Sequence, residues 1–443
     1  MAVNVALPSI GKEYSMEAQL LGWVGTSFVI IAAAVMIPIG RIADIYGRNR
    51  IFRYGLVLFT ISLVLCALSP SGIFLIFARV VQGIGASMIW GPAIALLSAA
   101  VPVEERGRAI GINTTAVYCG LSLGPFYGGF FTETLGWQSL FYVGAVISAF
   151  ATIMAFWKLR GEVTELKKES LDLTGTTTLI ISLVLILYGF SVLPDLSSIP
   201  FIVVGFIIIV IFYRTEIKTS NPVLDVHLFK HNRVFVCSLI AIICLYCATF
   251  APNFLLSLYL QYNAGFSPKT AGAILIVQPV MMAIIAPFSG RVSDKVAPVK
   301  VSLWGMSVTC LALILFAFLT EDSQLWYILV GLVVFGFGFG LFASPITNAV
   351  MGSIDKKFYG VASGLVAALR HGGQAISMAI VMILFTIYIG HNEITPQFYA
   401  PFLESFKVGL IIFVVICFGG MVALLAGGKV RPQPHAPKTH PQM

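Results

Sequence analysis

Two stretches decide the fold: GRIADIYGRNRI, residues 40–51, and GRVSDKVAPVKV, residues 290–301. Gly40 aligns with Gly290, Arg41 with Arg291, Asp44 with Asp294 and Arg50 with Lys300. A second pair repeats the correspondence: GIGASMIWGP (83–92) and GFGFGLFASP (336–345) align Gly83 with Gly336, Gly85 with Gly338 and Pro92 with Pro345. At that same offset Gly107 meets Gly360 and Gly111 meets Gly364. One such match arises easily by chance, but three coherent ones make the chain a repeat of two halves in the same orientation. Parallel repeats in membrane proteins are related by an axis along the membrane normal and hold a site at the midplane between them.

Composition places the repeat in a bilayer. Of 443 residues, 58% are hydrophobic and only 10% charged, against about 25% charged in an ordinary soluble chain. Apolar runs near the roughly 20 residues that cross a bilayer recur at 18–39, 51–69, 73–99, 107–131, 137–157, 172–193, 196–213, 234–261, 268–289, 299–319, 324–350, 359–389 and 402–426. The fold class expected is an all-α polytopic membrane protein. MAVNVALPSI (1–10) is about half the length of a span and reads as the end of a helix begun upstream, without the basic leader or cleavage site of a signal peptide.

The expected organisation is a six-span bundle over 1–158 with its first span incomplete, two additional central spans in 159–215, a second six-span bundle over 216–427 and a disordered cytoplasmic tail over 428–443. Alternate connections collect Arg41, Arg48, Arg50, Arg53, Arg106, Arg108, Lys158, Arg160, Lys167, Lys168, Arg214, Lys218, Lys230, Arg233, Arg291, Lys295, Lys300, Lys356, Lys357 and the tail's Lys429, Arg431 and Lys438. The opposite connections hold only Lys12, Lys269 and Lys407. By the positive-inside rule the basic side, with the C-terminus, is cytoplasmic. The net charge of +8 is thus a topology signal rather than a nucleic-acid footprint, which needs one basic face. The seven cysteines lie in apolar spans and read as buried thiols.

Several motifs stand out against this background. In the first repeat stretch, which also holds Gly47, Gly40 lets helix ends approach, and Asp44 and Arg48 are spaced to pair if the helix continues through them. A conformational gate and a solvated topology loop are both open readings. Arg79, beside Gln82, lies inside a span, where a charge costs about 2.5–3.5 kcal/mol; it either snorkels outward or has a task, and its repeat counterpart is Leu332. Arg370 and His371 fall about 18 Å into their span, near the midplane, where Arg needs a cavity, partner or substrate. His371 is either a titrating group or a packed neutral one. GLSLGPFYGGFF (120–131) sets Gly120, Gly124 and Gly128 four apart, a stripe for close helix approach, beside Pro125 and Gly129. This stretch is either an extracellular seam between the halves or ordinary tight packing.

The motifs together resemble the major facilitator superfamily, and within it the fourteen-span drug:proton antiporters. GRIADIYGRNR is similar to that superfamily's loop between spans 2 and 3, RVVQGIGASMIWGP (79–92) to its span-4 motif, and GLSLGPFYGG (120–129) to its span-5 antiporter motif. YLQ (259–261) followed by GFSPKTAGAILIVQP (265–279) resembles the second half of the fourteen-span group. The resemblance implies two six-helix bundles plus two central spans, proton coupling at Arg79, and efflux of small amphipathic or cationic compounds from a cell membrane. It also implies an Asp in the first span, upstream of VNVALPSI. Since every Asp and Glu present falls in a loop or at a span end, the expectation is a native start about ten to fifteen residues earlier.

The sequence carries no phosphate-binding loop and no assembled nucleophile, base and orienter, so it reads as a non-enzyme without cofactor or metal. The expected partners of this monomer are a small-molecule substrate, protons and the lipid bilayer. Alternatives are an importer of a small solute, proton-coupled or facilitated, or a non-transporting sensor on the same fold. Trp23, Trp90, Tyr118, Tyr246, Asn253, Gln278, Asn348 and Gln374 are candidates to line a cavity, with lipid-facing or packed positions equally open for most of them.

Overall fold

The structure is a computed structural model that describes residues 2–16, 18–159, 170–219, 221–225, 227–266, 268–320, 323–390, 397 and 399–427. The first half holds α1 (Ala2–Tyr14), α2 (Ala18–Tyr46), α3 (Arg48–Ala67), α4 (Gly72–Ala100), α5 (Arg106–Leu135) and α6 (Gln138–Lys158). Between the halves lie α7 (Leu173–Val192) and α8 (Ile199–Glu216). The second half holds α9 (His227–His231), α10 (Arg233–Tyr262), α11 (Pro268–Leu275), α12 (Val277–Lys295), α13 (Pro298–Ala317), α14 (Leu325–Gly352), α15 (Tyr359–Tyr388) and α16 (Tyr399–Gly427). Among the described residues twelve segments are helical, long and apolar enough to cross a membrane; α5, 30 residues long, is the other helix of span length.

Helix starts follow local chemistry. Ser71 accepts from Phe74 N at 3.3 Å, Asp172 from Gly175 N at 2.9 Å and Asn232 from Phe235 N at 3.0 Å, each satisfying a donor that a first turn leaves free. Within each half, glycines let helices touch. A Cβ on Gly85 would stand 2.8 Å from Phe59 N, and one on its counterpart Gly338 2.5 Å from Thr309 N. Gly83 abuts Phe28 O, and Gly336 abuts Gln278 O, equally closely. Lipid offers no hydrophobic drive between spans, so such backbone approach is how they pack. The repeat in sequence is therefore a repeat in contacts.

The second half centres on the fully buried Phe316, Phe335, Phe342, Phe402, Phe406 and Phe413. In the first half Trp137, Leu140 and Phe141 pack with Ala6 and Ile10 of α1. Tyr14 donates to Ser69 O at 2.6 Å and Trp137 Nε1 to Glu13 at 2.6 Å, so the short α1 is tied in at its far end. The pair α7–α8 lies against α2 and α15, with Leu187 and Tyr188 on Trp23, Ile30, Ala33 and Ala375, while Phe201, Val203, Phe206 and Ile207 point outward.

Several details depart from expectation. The stretch around Asp44 is helix up to Tyr46 rather than loop, while the run expected as one span from 268 to 289 does cross as one, α11 and α12 joining through a helical Ile276 and running on to Lys295. The helix does not continue from Asp44 to Arg48: Gly47 turns the chain with φ 109° and α3 starts afresh. Cys119 is exposed rather than buried; all seven thiols are free. Arg160, Lys167, Lys168, Lys429, Arg431 and Lys438 lie outside the described residues.

Candidate functional site

The two halves meet along two seams, α2 against α15 and α5 against α12, and at the end of the molecule that carries the basic loops each seam is closed by the same device. Asp44 accepts from Gly360 N at 3.0 Å and Val361 N at 3.1 Å. Its counterpart Asp294 accepts from Gly107 N at 2.7 Å and Arg108 N at 2.9 Å. In both cases a carboxylate at the end of one half's helix caps the first turn of a helix in the other half. There the free N–H groups and the positive end of the helix dipole favour an anion.

Glycines make this approach feasible. A Cβ on Gly40 would lie 2.3 Å from Gly360 O, and one on Gly290 2.2 Å from Gly107 O. One turn further in, Gly364 rests on Met36 O and Gly111 on Ala286 O. The residues that the sequence repeat matched in pairs thus recombine crosswise: each aspartate holds the glycine that matches the one held by the other aspartate.

Charges reinforce the two latches differently. Arg48 Nε donates to Asp44 Oδ1 at 2.7 Å across the Gly47 turn, and Nη2 to Lys356 O at 2.6 Å. Both side chains are nearly inaccessible, so this pair is a buried one whose rupture leaves a charge uncompensated. At the second latch Arg106 Nε donates to Asn348 Oδ1 at 2.7 Å and Nη1 to Tyr359 Oη at 3.1 Å, while Asn348 donates to Ser293 Oγ at 3.1 Å. The Tyr359 ring also lies under the Arg48 guanidinium at 5.8 Å, so one residue joins both latches. Arg41 is buried at the foot of α2, within electrostatic reach of Glu216 on α8. Arg291 is exposed, over the Phe288 ring at 5.9 Å.

Asn348, expected at a cavity, is therefore a latch residue, and Gln278 is packed at 5% exposure against the backbone of Gly336. Arg106 and Tyr359 were missed by sequence reasoning, although they directly precede the matched Gly107 and Gly360.

Arg79 does not snorkel. It is 7% exposed, Nε donates to Val24 O at 2.9 Å, Nη1 bonds Gln82 Oε1, and the guanidinium sits 4.3 Å over the Phe28 ring. This inward set joins α4 to α2. Nearer the middle, Arg370 Nη2 donates to Thr347 Oγ1 at 2.8 Å, and the guanidinium lies 5.3 Å from the Tyr246 ring. His371 Nδ1 is 3.2 Å from Gln374 Oε1, and its ring stacks on Trp90 of the other half at 6.0 Å. Tyr118 and Tyr246 flank Phe339 at 6.1 and 5.3 Å. Trp23 instead stacks on Tyr188 of α7 at 5.4 Å, and Asn253 bonds back to Thr249 O at 3.3 Å.

The glycine stripe on α5 is graded: Gly120 is exposed with nothing within 4 Å of a built Cβ, Gly124 and Gly129 are half-buried, and Gly128 is buried. The side chain of Pro125 lies outside the described residues. Among the described residues no three His, Cys, Asp or Glu side chains gather where a metal ion could be held.

Two like-oriented helical bundles of membrane-spanning length that meet along two seams are the architecture of a multi-pass membrane transporter. The sequence pattern of the Major Facilitator Superfamily matches residues 1–377 and again 238–442, and the chain belongs to that superfamily. Among curated relatives, the riboflavin transporter RibZ of Clostridioides difficile (strain 630) is 28% identical over 420 residues, 95% of this chain and 92% of that protein. The multidrug resistance protein Stp of Mycobacterium tuberculosis is 30% identical over 388 residues, 86% of this chain and 72% of that one. The human organic anion transporter MFSD10 shares the fold at 15% identity, with a TM-score of 0.68 over 94% of this chain and 88% of its own.

Proposed function

We propose that the chain is a secondary active transporter of the fourteen-span group, working by alternating access and exporting small amphipathic molecules in exchange for protons across the cell membrane. The observation that carries this reading is the crossed latch: Asp44 on the first turn of α15 and Asp294 on the first turn of α5. Both closures lie at the basic end, which the positive-inside rule makes cytoplasmic, and both consist of hydrogen bonds that water replaces when the seam parts. Gly40, Arg41, Asp44, Gly47, Arg48, Gly290, Arg291 and Asp294 then form the cytoplasmic gate.

With that gate shut, Gly120 faces open space; the stripe of Gly120, Gly124 and Gly128, with Pro125 and Gly129, is the extracellular seam that closes when the gate opens. Arg79 and Gln82 take the proton-coupling role, and Arg370 and His371 face the substrate. Relatives named for multidrug resistance and for riboflavin transport support a small organic cargo.

The test is reconstitution in proteoliposomes. An inward proton gradient is expected to drive solute out, and cysteine labelling is expected to reveal two access states. Binding without flux would favour a sensor on this fold, and gradient-independent downhill entry a facilitator.

A further inference from the structure

Resting on the transport reading, the substrate class can be narrowed at Arg370. Five arginines are drawn into the helical body; Arg41 lies within electrostatic reach of Glu216 at the basic end, and three more are well provided for. Arg48 has a carboxylate, a carbonyl and a ring. Arg79 has a carbonyl, an amide oxygen and a ring. Arg106 has an amide oxygen and a phenol.

Arg370 has one hydroxyl, Thr347 Oγ1, and the face of Tyr246. Its Nε is buried with no hydrogen-bond partner among the described residues. A guanidinium has five N–H donors in a fork that matches a carboxylate or sulfonate, and a cation at membrane depth is costly unless paired. Among the described residues no carboxylate pairs with Arg370, which leaves room for an anionic ligand.

The surroundings say what the anion is attached to. Tyr118 and Tyr246 interact with one another beside Arg370 and wedge around Phe339. Trp90, 41% exposed, contributes a ring from the other half, stacked on His371. Aromatic faces from both halves next to an underused guanidinium suit a flat ring system bearing an acidic group. Acyl chains gain nothing special from ring faces, so a lipid is the poorer fit.

We propose that the site between the halves binds aromatic organic anions, the carboxylate or sulfonate forked by Arg370 and the ring system held among Trp90, Tyr118 and Tyr246, in preference to organic cations.

The test uses the full chain in phosphatidylcholine nanodiscs and three probes of one shape: 2-naphthoate, 2-naphthamide and 2-naphthylmethylammonium, titrated calorimetrically. Naphthoate is expected to bind about 10- to 100-fold more tightly than the other two, the worth of one or more charge-assisted hydrogen bonds. Arg370→Gln is expected to abolish that preference, and Thr347→Val, which frees the guanidinium from its anchor, to weaken naphthoate alone.

The preference is first read on the unaltered chain, so a misfolded variant does not blunt the test. Equal binding of the three probes, tighter binding of the ammonium, or binding of none overturns the proposal. So does displacement of naphthoate by phosphatidylglycerol added to the discs. Counterflow in proteoliposomes separates the two readings. Naphthoate binding without counterflow of any probe removes transport and leaves the anion site, whereas counterflow of the ammonium alone removes the anion site and leaves transport.

Discussion

Gly290→Ala is the sharpest perturbation of the crossed latch. Its Cβ would stand 2.2 Å from Gly107 O and 2.9 Å from the carbonyl carbon, where ordinary contact begins near 3.4 Å. The obstacle is backbone, so no rotamer change relieves it, and α12 and α5 have to part by roughly 1 Å. That separation would stretch Asp294 from its 2.7 and 2.9 Å contacts with Gly107 N and Arg108 N beyond hydrogen-bonding distance. It would also loosen the bond from Ser344 Oγ to Gly107 O, now 3.1 Å.

Two charge-assisted bonds contribute about 1.5–3 kcal/mol each. Discounted for the water that hydrates both groups once the seam opens, the closed form loses on the order of 2 kcal/mol, about 30-fold in the closed-to-open ratio. Spin labels at the exposed Glu104 and Lys295, on a cysteine-free background in nanodiscs, report the distance across this seam by double electron–electron resonance. A longer-distance population is expected to appear or grow in Gly290→Ala. Gly120→Ala, where nothing lies within 4 Å, is expected to leave the distribution alone. An unchanged distribution and melting temperature in Gly290→Ala would refute the reasoning.

Asp44→Asn is expected to cost more than Asp294→Asn, because it strands the buried Arg48 guanidinium, a loss of about 3–5 kcal/mol; thermal unfolding in detergent compares them, and equal falls would count against the asymmetry. Arg79→Lys cannot keep both directional bonds and the Phe28 stack. Gradient-driven flux is expected to drop at least about 10-fold while exchange without a gradient persists, and loss of both equally would argue for a purely structural Arg79. Gly120→Leu is expected to keep the cytoplasmic seam closed yet slow turnover about 10-fold or more; wild-type turnover would dispose of the glycine ridge as an outer seam.

The repeat was legible because backbone contact between helices demands glycine, and glycines at matched positions survive as a pattern. Gly40, Gly107, Gly290 and Gly360 could be paired from sequence, but only as parallel counterparts. That they contact one another crosswise is a property of how two bundles face, which no spacing within one chain encodes. Asp44 and Arg48 were singled out for helical spacing and do pair, though the Gly47 turn rather than a continuous helix brings them together. Arg106 looked like one more topology charge, since a lone Arg at a loop does not disclose that its neighbour across the membrane end is Asn348. Asn348, conversely, resembled a cavity residue because polarity inside a span has two uses, lining water and tying helices, and sequence does not separate them. Arg370 stood out by depth alone, and its lack of sufficient partners emerges only from the fold.

The inserted pair α7–α8 has a geometric consequence of its own. By leaning on Trp23, Ile30 and Ala33 of α2 and on Ala375 of α15, it shutters one flank of the molecule from the surrounding hydrocarbon. The α5–α12 flank has no comparable shutter among the described helices. On the proposed transport reading, a solute arriving from the leaflet would approach the halves along α5–α12 rather than along the covered flank, and bulky residues on the outer faces of α5 and α12 are expected to slow it.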